Sequence, residues 1–277
     1  MPNPPELIDT YDRNNIYYIS GPRAVIIPEI MRASLRDGDA PLAVKIVKAT
    51  VINPHGLIYA VQRAQKSENP FLFTTTFGEH VKRRFGPDET RDYISRTLRE
   101  GAKEEVDMED IKIARDIHDY EKRSKRLDLS AQAIAYLAYS NHWSLSVRWS
   151  VVPAEQGDRL TRWRKRDDLR CYILRYDGDL AFIDGEAIGH LMMKPKDIVG
   201  EITGLSMERF LGRTNNHSTE HREHALEEMS VKPLEDLLKR NEGIPVQQLL
   251  QMLKEGRFFA YDLLATIARH HHLMKPF

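Results

Sequence analysis

Between Arg159 and Arg170 six basic side chains, Arg159, Arg162, Arg164, Lys165, Arg166 and Arg170, stand against two acidic ones, Asp167 and Asp168. Guanidinium and ammonium groups supply the salt-sensitive phosphate contacts that every nucleic-acid-binding protein needs. Trp163 lies among them and could stack on a base or anchor its segment to a core. Lys82, Arg83 and Arg84 form a second basic cluster, Lys122, Arg123, Lys125 and Arg126 a third, and Arg148 and Arg175 flank the central segment on either side. The pattern sets up an expectation of nucleic-acid contact. The competing reading is a solvated face laced with salt bridges.

Two other constellations could do different chemistry. His217, His221 and His224 would share one face of a helix at i, i+4 and i+7, and His217-x-x-Glu220-His221 spells a short zinc-protease pattern. The stretch is polar throughout, so an exposed helix face or linker explains it without metal. Asp177, Asp179, Asp184 and Glu186, with Lys194 and Lys196 beyond, resemble the carboxylates that hold magnesium in nucleases. Asp177 and Asp184 each precede a glycine, however, and turn chemistry accounts for that. Neither a Gly-rich phosphate loop nor a Gly-x-Ser-x-Gly elbow occurs, and the one cysteine, Cys171, sits in an apolar run. No catalytic residue, metal ligand or cofactor is therefore assigned.

The elements that must position these residues follow from the hydrophobic period. Residues 1–20 read as a polar, proline-bearing arm. Ala24–Ile27 reads as a short apolar run and Glu29–Leu35 as one or two helical turns. Val44–Ile52, rich in β-branched residues, and Leu57–Val61 flank Asn53-Pro-His-Gly56 as a hairpin, and Phe71–Phe77 supplies a third strand. After Gly86-Pro-Asp88 the period changes. Asp88–Leu98 reads as a helix, as do Asp107–Arg126 and Ala131–Tyr139, the last capped by Ser130. Cys171–Tyr176 and Asp179–Asp184 flank Asp177-Gly178 as a second hairpin. From Pro195 onward helices return, with amphipathic segments at Val231–Lys239, Pro245–Lys254 and Phe258–Arg269.

Asp128–Tyr139, the turn at Asn141-His-Trp143, the stretch from Ser146, the basic segment 159–170 and the hairpin tipped by Asp177-Gly178 follow one another as helix, turn, helix, basic helix and wing. This order, over residues 128–184, resembles the winged helix-turn-helix domains of phage and plasmid replication initiators and related regulators. The resemblance implies a third helix in the major groove and a hairpin on phosphate or in the minor groove. It implies DNA, ahead of RNA, as partner.

The 277 residues suffice for one large domain or two to three small ones, and 41% hydrophobic with 30% charged residues provides a real core. Lys+Arg 41 against Asp+Glu 41 gives zero net charge, so bulk charge names no partner. A single cysteine excludes an internal disulfide and any multi-cysteine metal site. No run approaches the length of a membrane span, and the opening lacks a signal pattern, so a cytoplasmic protein with no membrane partner is expected. The expected fold is α+β: an arm and small antiparallel sheet over 1–86, a helical region with a central hairpin over 87–194, and a helical region over 195–277. The expected function is nucleic-acid binding without catalysis, as initiator, regulator or subunit of a nucleoprotein assembly with other protein subunits, and the phage and plasmid resemblance implies a mobile genetic element. The alternatives are a structural or adaptor subunit and a metal-dependent nuclease or hydrolase.

Overall fold

A computed structural model describes residues 6–65, 68–81, 91–125, 133–155, 157–182, 185–215 and 218–277. The fold is α+β, and the chain forms two compact units, neither of them a continuous stretch. The first comprises residues up to Ala49, Phe77–Ser146 and Trp163–Ala181; the second comprises Thr50–Thr76, Val147–Arg162 and Phe182–Phe277.

The first unit opens on β1 (Leu7–Tyr11) and β2 (Tyr17–Pro22), an antiparallel hairpin where an arm was expected. The turn between them is made by Asp12, whose carboxylate accepts the amides of Asn14 and Ile16. Helix α1 (Arg23–Asp37) then absorbs both the apolar run at Ala24–Ile27 and Pro28, and ends at Gly38 in the left-handed region. Strand β3 (Ala43–Ile52) is buried along its whole length, which is why its sequence is β-branched rather than alternating. Strand β6 (Phe77–His80) pairs antiparallel with it, Ile46 facing His80 and Lys48 facing Gly78. Helix α2 (Arg91–Val106) follows. The helix expected over Asp107–Arg126 is instead strand β7 (Ile111–Ile113) and helix α3 (Ile117–Ser124). Asp116 caps α3 by accepting the Asp119 amide.

The largest correction concerns residues 133–176. Ala133–Val152 is one long strand, β8, and Arg159–Tyr176 another, β9. Neither the buried helix expected over 131–139 nor the basic helix over 159–170 exists among the described residues, so these residues do not form a helix-turn-helix. Ile111–Ile113 pairs in parallel with Ala133–Ala135, fixing the start of β8 as strand, while β9 is hydrogen-bonded to both β3 and β8. Pro153 and Gly157 mark the connection between the long strands, and Gly157 adopts a positive φ of 100°. The wing is also absent as drawn: Asp179–Phe182 is not strand, and Asp184 lies outside the described residues. Tyr176 folds back over the turn and its hydroxyl donates to the Asp179 carbonyl.

In the second unit the Asn53–Gly56 turn forms as expected. The Asn53 side chain accepts the amides of His55 and Leu57, Gly56 takes φ 72°, and Ile52 faces Ile58 of β4 (Ile58–Arg63). The third expected strand is split into β5 (Phe73–Thr74) and β6. Strand β10 (Ala187–Met193) pairs with β4. Among the described residues five α-helices follow, α4 (Pro195–Thr203), α5 (Met207–Asn215), α6 (Thr219–Arg240), α7 (Val246–Glu255) and α8 (Tyr261–His270), the last leading into a 3-10 turn at His271–Leu273. The last three α-helices cover the amphipathic segments read from the sequence, except that Pro245 and Phe258–Ala260 precede their helices. No described helix is long and apolar enough to cross a membrane.

Candidate functional site

The basic segment lies on β9, and period-2 geometry divides its charges between two faces. On one face Trp163 is 3% exposed and packs with Ile8, Ile30, Ala40 and Val44. On the same face Lys165 is 1% exposed, with its Nζ 3.2 Å from His80 Nε2 and 3.6 Å from Asp167 Oδ1. Lys48 reaches the same carboxylate at 3.2 Å and the Ser146 hydroxyl at 2.9 Å, and that hydroxyl donates to Asp167 at 2.7 Å. On the other face Asp168 lies 3.4 Å from Lys45 and 2.6 Å from Arg170. Lys45 also sits 4.4 Å above the Tyr11 ring. Burial pulls the Lys45 ammonium below its ordinary value, an effect that Asp168 opposes.

The remaining expected contacts are mostly engaged within the protein. Arg164 donates its amide to Ser34 Oγ and its guanidinium to the Gly38 carbonyl. Arg166 forks onto Asp39 at 2.9 and 3.1 Å and stacks 5.7 Å from the Trp143 ring. Arg162 pairs with Glu235 at 2.9 Å. Arg148 is buried against Asp262 and Glu68, and Arg175 is buried over the Tyr120 ring at 4.6 Å. Arg123 pairs with Asp119 one turn back. Arg159, Lys122 and Lys125 are exposed. Lys82, Arg83, Arg84 and Arg126 lie outside the described residues.

Sequence reasoning missed two buried charge clusters: Lys48, His80, Ser146 and Lys165 about Asp167 on one face of β9, and Lys45 with Asp168 on the other. The legible signal was the pair of lysines inside the β-branched run of β3, where an ammonium needs a buried counter-charge. Neither alternative constellation gathers. His217 lies outside the described residues, His221 and His224 are exposed at the start of α6, and Glu186 pairs with Arg63 at 2.6 Å. Among the described residues, no three His, Cys, Asp or Glu side chains stand as a metal-ligand set. Cys171 is buried.

Two surface features of the first unit remain. Strand β2 pairs only with β1, so its outer edge is open among the described strands. Ile16 and Tyr18 are 61% and 66% exposed, with Tyr17 and Ile19 beside them and Leu7 and Val25 at the foot of the hairpin also exposed. Helix α2 carries Glu100, Glu104 and Glu105. Its Gly101 lies so close to β6 that a methyl group there would stand 3.1 Å from the Glu79 Cβ.

No family model matches the sequence, and no curated protein matches it. Among solved structures, the chain is similar to the crystal structure of DR0079 from Deinococcus radiodurans, with 17% identity and a TM-score of 0.40 over 73% of this chain and 91% of that one.

Proposed function

We propose that this chain is a subunit of a protein assembly and docks through the β1–β2 hairpin. The observation that carries the reading is the apolar run from Ile16 in the turn to Ile19 of β2, uncharged and solvent-exposed, on a strand edge that no other described strand covers. Native edge strands are ordinarily blunted by lysine, an inward charge, a bulge or proline; the bulge here lies at Thr10/Tyr11 on the paired side, and the one proline, Pro22, comes at the end of β2. A contiguous apolar patch left on an open edge marks a surface that another chain covers.

The nucleic-acid reading draws less support. From Trp163 to Arg170 the side chains that were to meet phosphate are buried, paired with Asp39, Asp167 or Asp168, or, for Arg164, donating to the Gly38 carbonyl. Reading the chain as an initiator or regulator therefore leans on the exposed Arg159, Lys122 and Lys125 and on residues outside the described set.

The native mass of the chain in a cell extract tests the docking reading. A mass well above that of the single chain, lowered in a Tyr18→Lys variant, is the expected result. A monomeric mass for both proteins would overturn it.

A further inference from the structure

We infer that the occupant of the β2 edge is a second copy of this chain, joined edge to edge across a two-fold axis. The inference rests on the docking reading and names its partner. The geometry is self-complementary, since an open strand laid antiparallel against its own copy exchanges the same hydrogen bonds in both directions. The chemistry also matches. Ile16-Tyr-Tyr-Ile-Ser-Gly21 carries no charge, so an acidic or basic partner finds no counter-ion there. The chain as a whole has equal numbers of acidic and basic residues, so net charge does not drive two copies apart.

The area is close to what a dimer needs. Leu7, Ile16, Tyr17, Tyr18, Ile19 and Val25 leave roughly 650 Å² of largely apolar surface exposed per chain, against about 800 Å² per partner in an interface of standard size. Pairing of the backbone edges would bury more. Within this chain the residues ahead of Glu6 are a poor alternative occupant, because Pro2, Pro4 and Pro5 lack the N–H groups that a ladder requires. Tyrosine side chains suit this role: each offers a large apolar ring at low entropic cost and a hydroxyl that stays hydrogen-bonded. Tyr17 already does so, with its hydroxyl 2.9 Å from Ser20 Oγ and its ring edge-on to Tyr11.

Sedimentation velocity of the purified full chain, from about 1 to 100 µM, tests the inference across the range in which homodimers of modest interface form. The expected result is a species of twice the 32.1 kDa chain mass that dissociates on dilution. It should be absent in an Ile16→Lys, Tyr18→Lys variant whose circular dichroism is unchanged, because both side chains are exposed. A single-variant Tyr18→Phe chain, which keeps the ring, should retain the dimer. A parent chain monomeric at every concentration overturns the inference, and so does a dimer that survives the double lysine change. If the purified chain is monomeric while its mass in extract is high and falls in Tyr18→Lys, the copy is the wrong partner and the docking reading stands. Monomers in both settings remove both.

Discussion

Replacing Asp167 by Asn removes one charge from between two buried ammonium groups and leaves the shape of the side chain almost unchanged. Lys48 lies 3.2 Å and Lys165 3.6 Å from its oxygens, and all three residues are buried. At an effective dielectric constant of about 20, each contact is worth roughly 5 kcal/mol of attraction. The desolvation of the carboxylate, which the amide avoids in part, offsets much of that total. The net expectation is a loss of about 3–5 kcal/mol, the range for breaking a buried pair by removing one partner. The amide can still accept the Ser146 hydroxyl, so lost charge rather than a lost hydrogen bond dominates. Urea denaturation followed by far-UV circular dichroism reports the change. A loss below about 1 kcal/mol would refute the claim that Lys165 and Lys48 are held as interior cations by this carboxylate.

Other expectations follow from the same placement. Trp163→Ala, emptying the cluster of Ile8, Ile30 and Val44, should cost about 3–5 kcal/mol in the same denaturation assay. Arg162→Ala, by contrast, breaks a pair in which both partners are about two-fifths exposed and should shift stability by less than about 1 kcal/mol. His270 gives a pH dependence: burial, reinforced by Arg269, lowers its imidazole from 6.5 to about 3. The folded value lies below the unfolded one, so the stability held by the neutral ring is present above pH 6.5 and is lost as pH falls from there toward 3. Denaturation midpoints should therefore decline more steeply between pH 6.5 and 5 in the parent chain than in His270→Gln, and parallel curves would contradict the assignment.

How much of this was legible in the sequence depended on whether local chemistry agreed with tertiary context. The β3–β4 hairpin was legible because Asn53-Pro-His-Gly56 supplies its own turn hydrogen bonds and a glycine for the positive φ. The C-terminal helices were legible because Leu249, Leu250 and Leu253 repeat at helical spacing and are buried as that spacing implies. Strands β8 and β9 were not. Ala131–Tyr139 is apolar at nearly every position and carries no period, so only its pairing with β7 decides its state. In β9 the inward positions include Lys165 and Asp167, and interior ions invert the polar-outward pattern that a strand is read from. The dense charge then suggested a solvated helix. The N-terminal hairpin was obscured by prolines ahead of it and by exposed hydrophobic residues within it. Those exposed residues are the proposed docking surface, and proteins break such local rules at functional sites.

Amide hydrogen exchange across Tyr17–Gly21 tests the central claim most directly, because it reads the open edge itself. The account predicts that exchange of the β2 amides slows several-fold as the purified chain is concentrated from about 1 to 100 µM, while amides of the buried strand β3 keep one rate throughout. Identical β2 exchange at every concentration, with the parent chain and the Ile16→Lys, Tyr18→Lys variant indistinguishable, would contradict it.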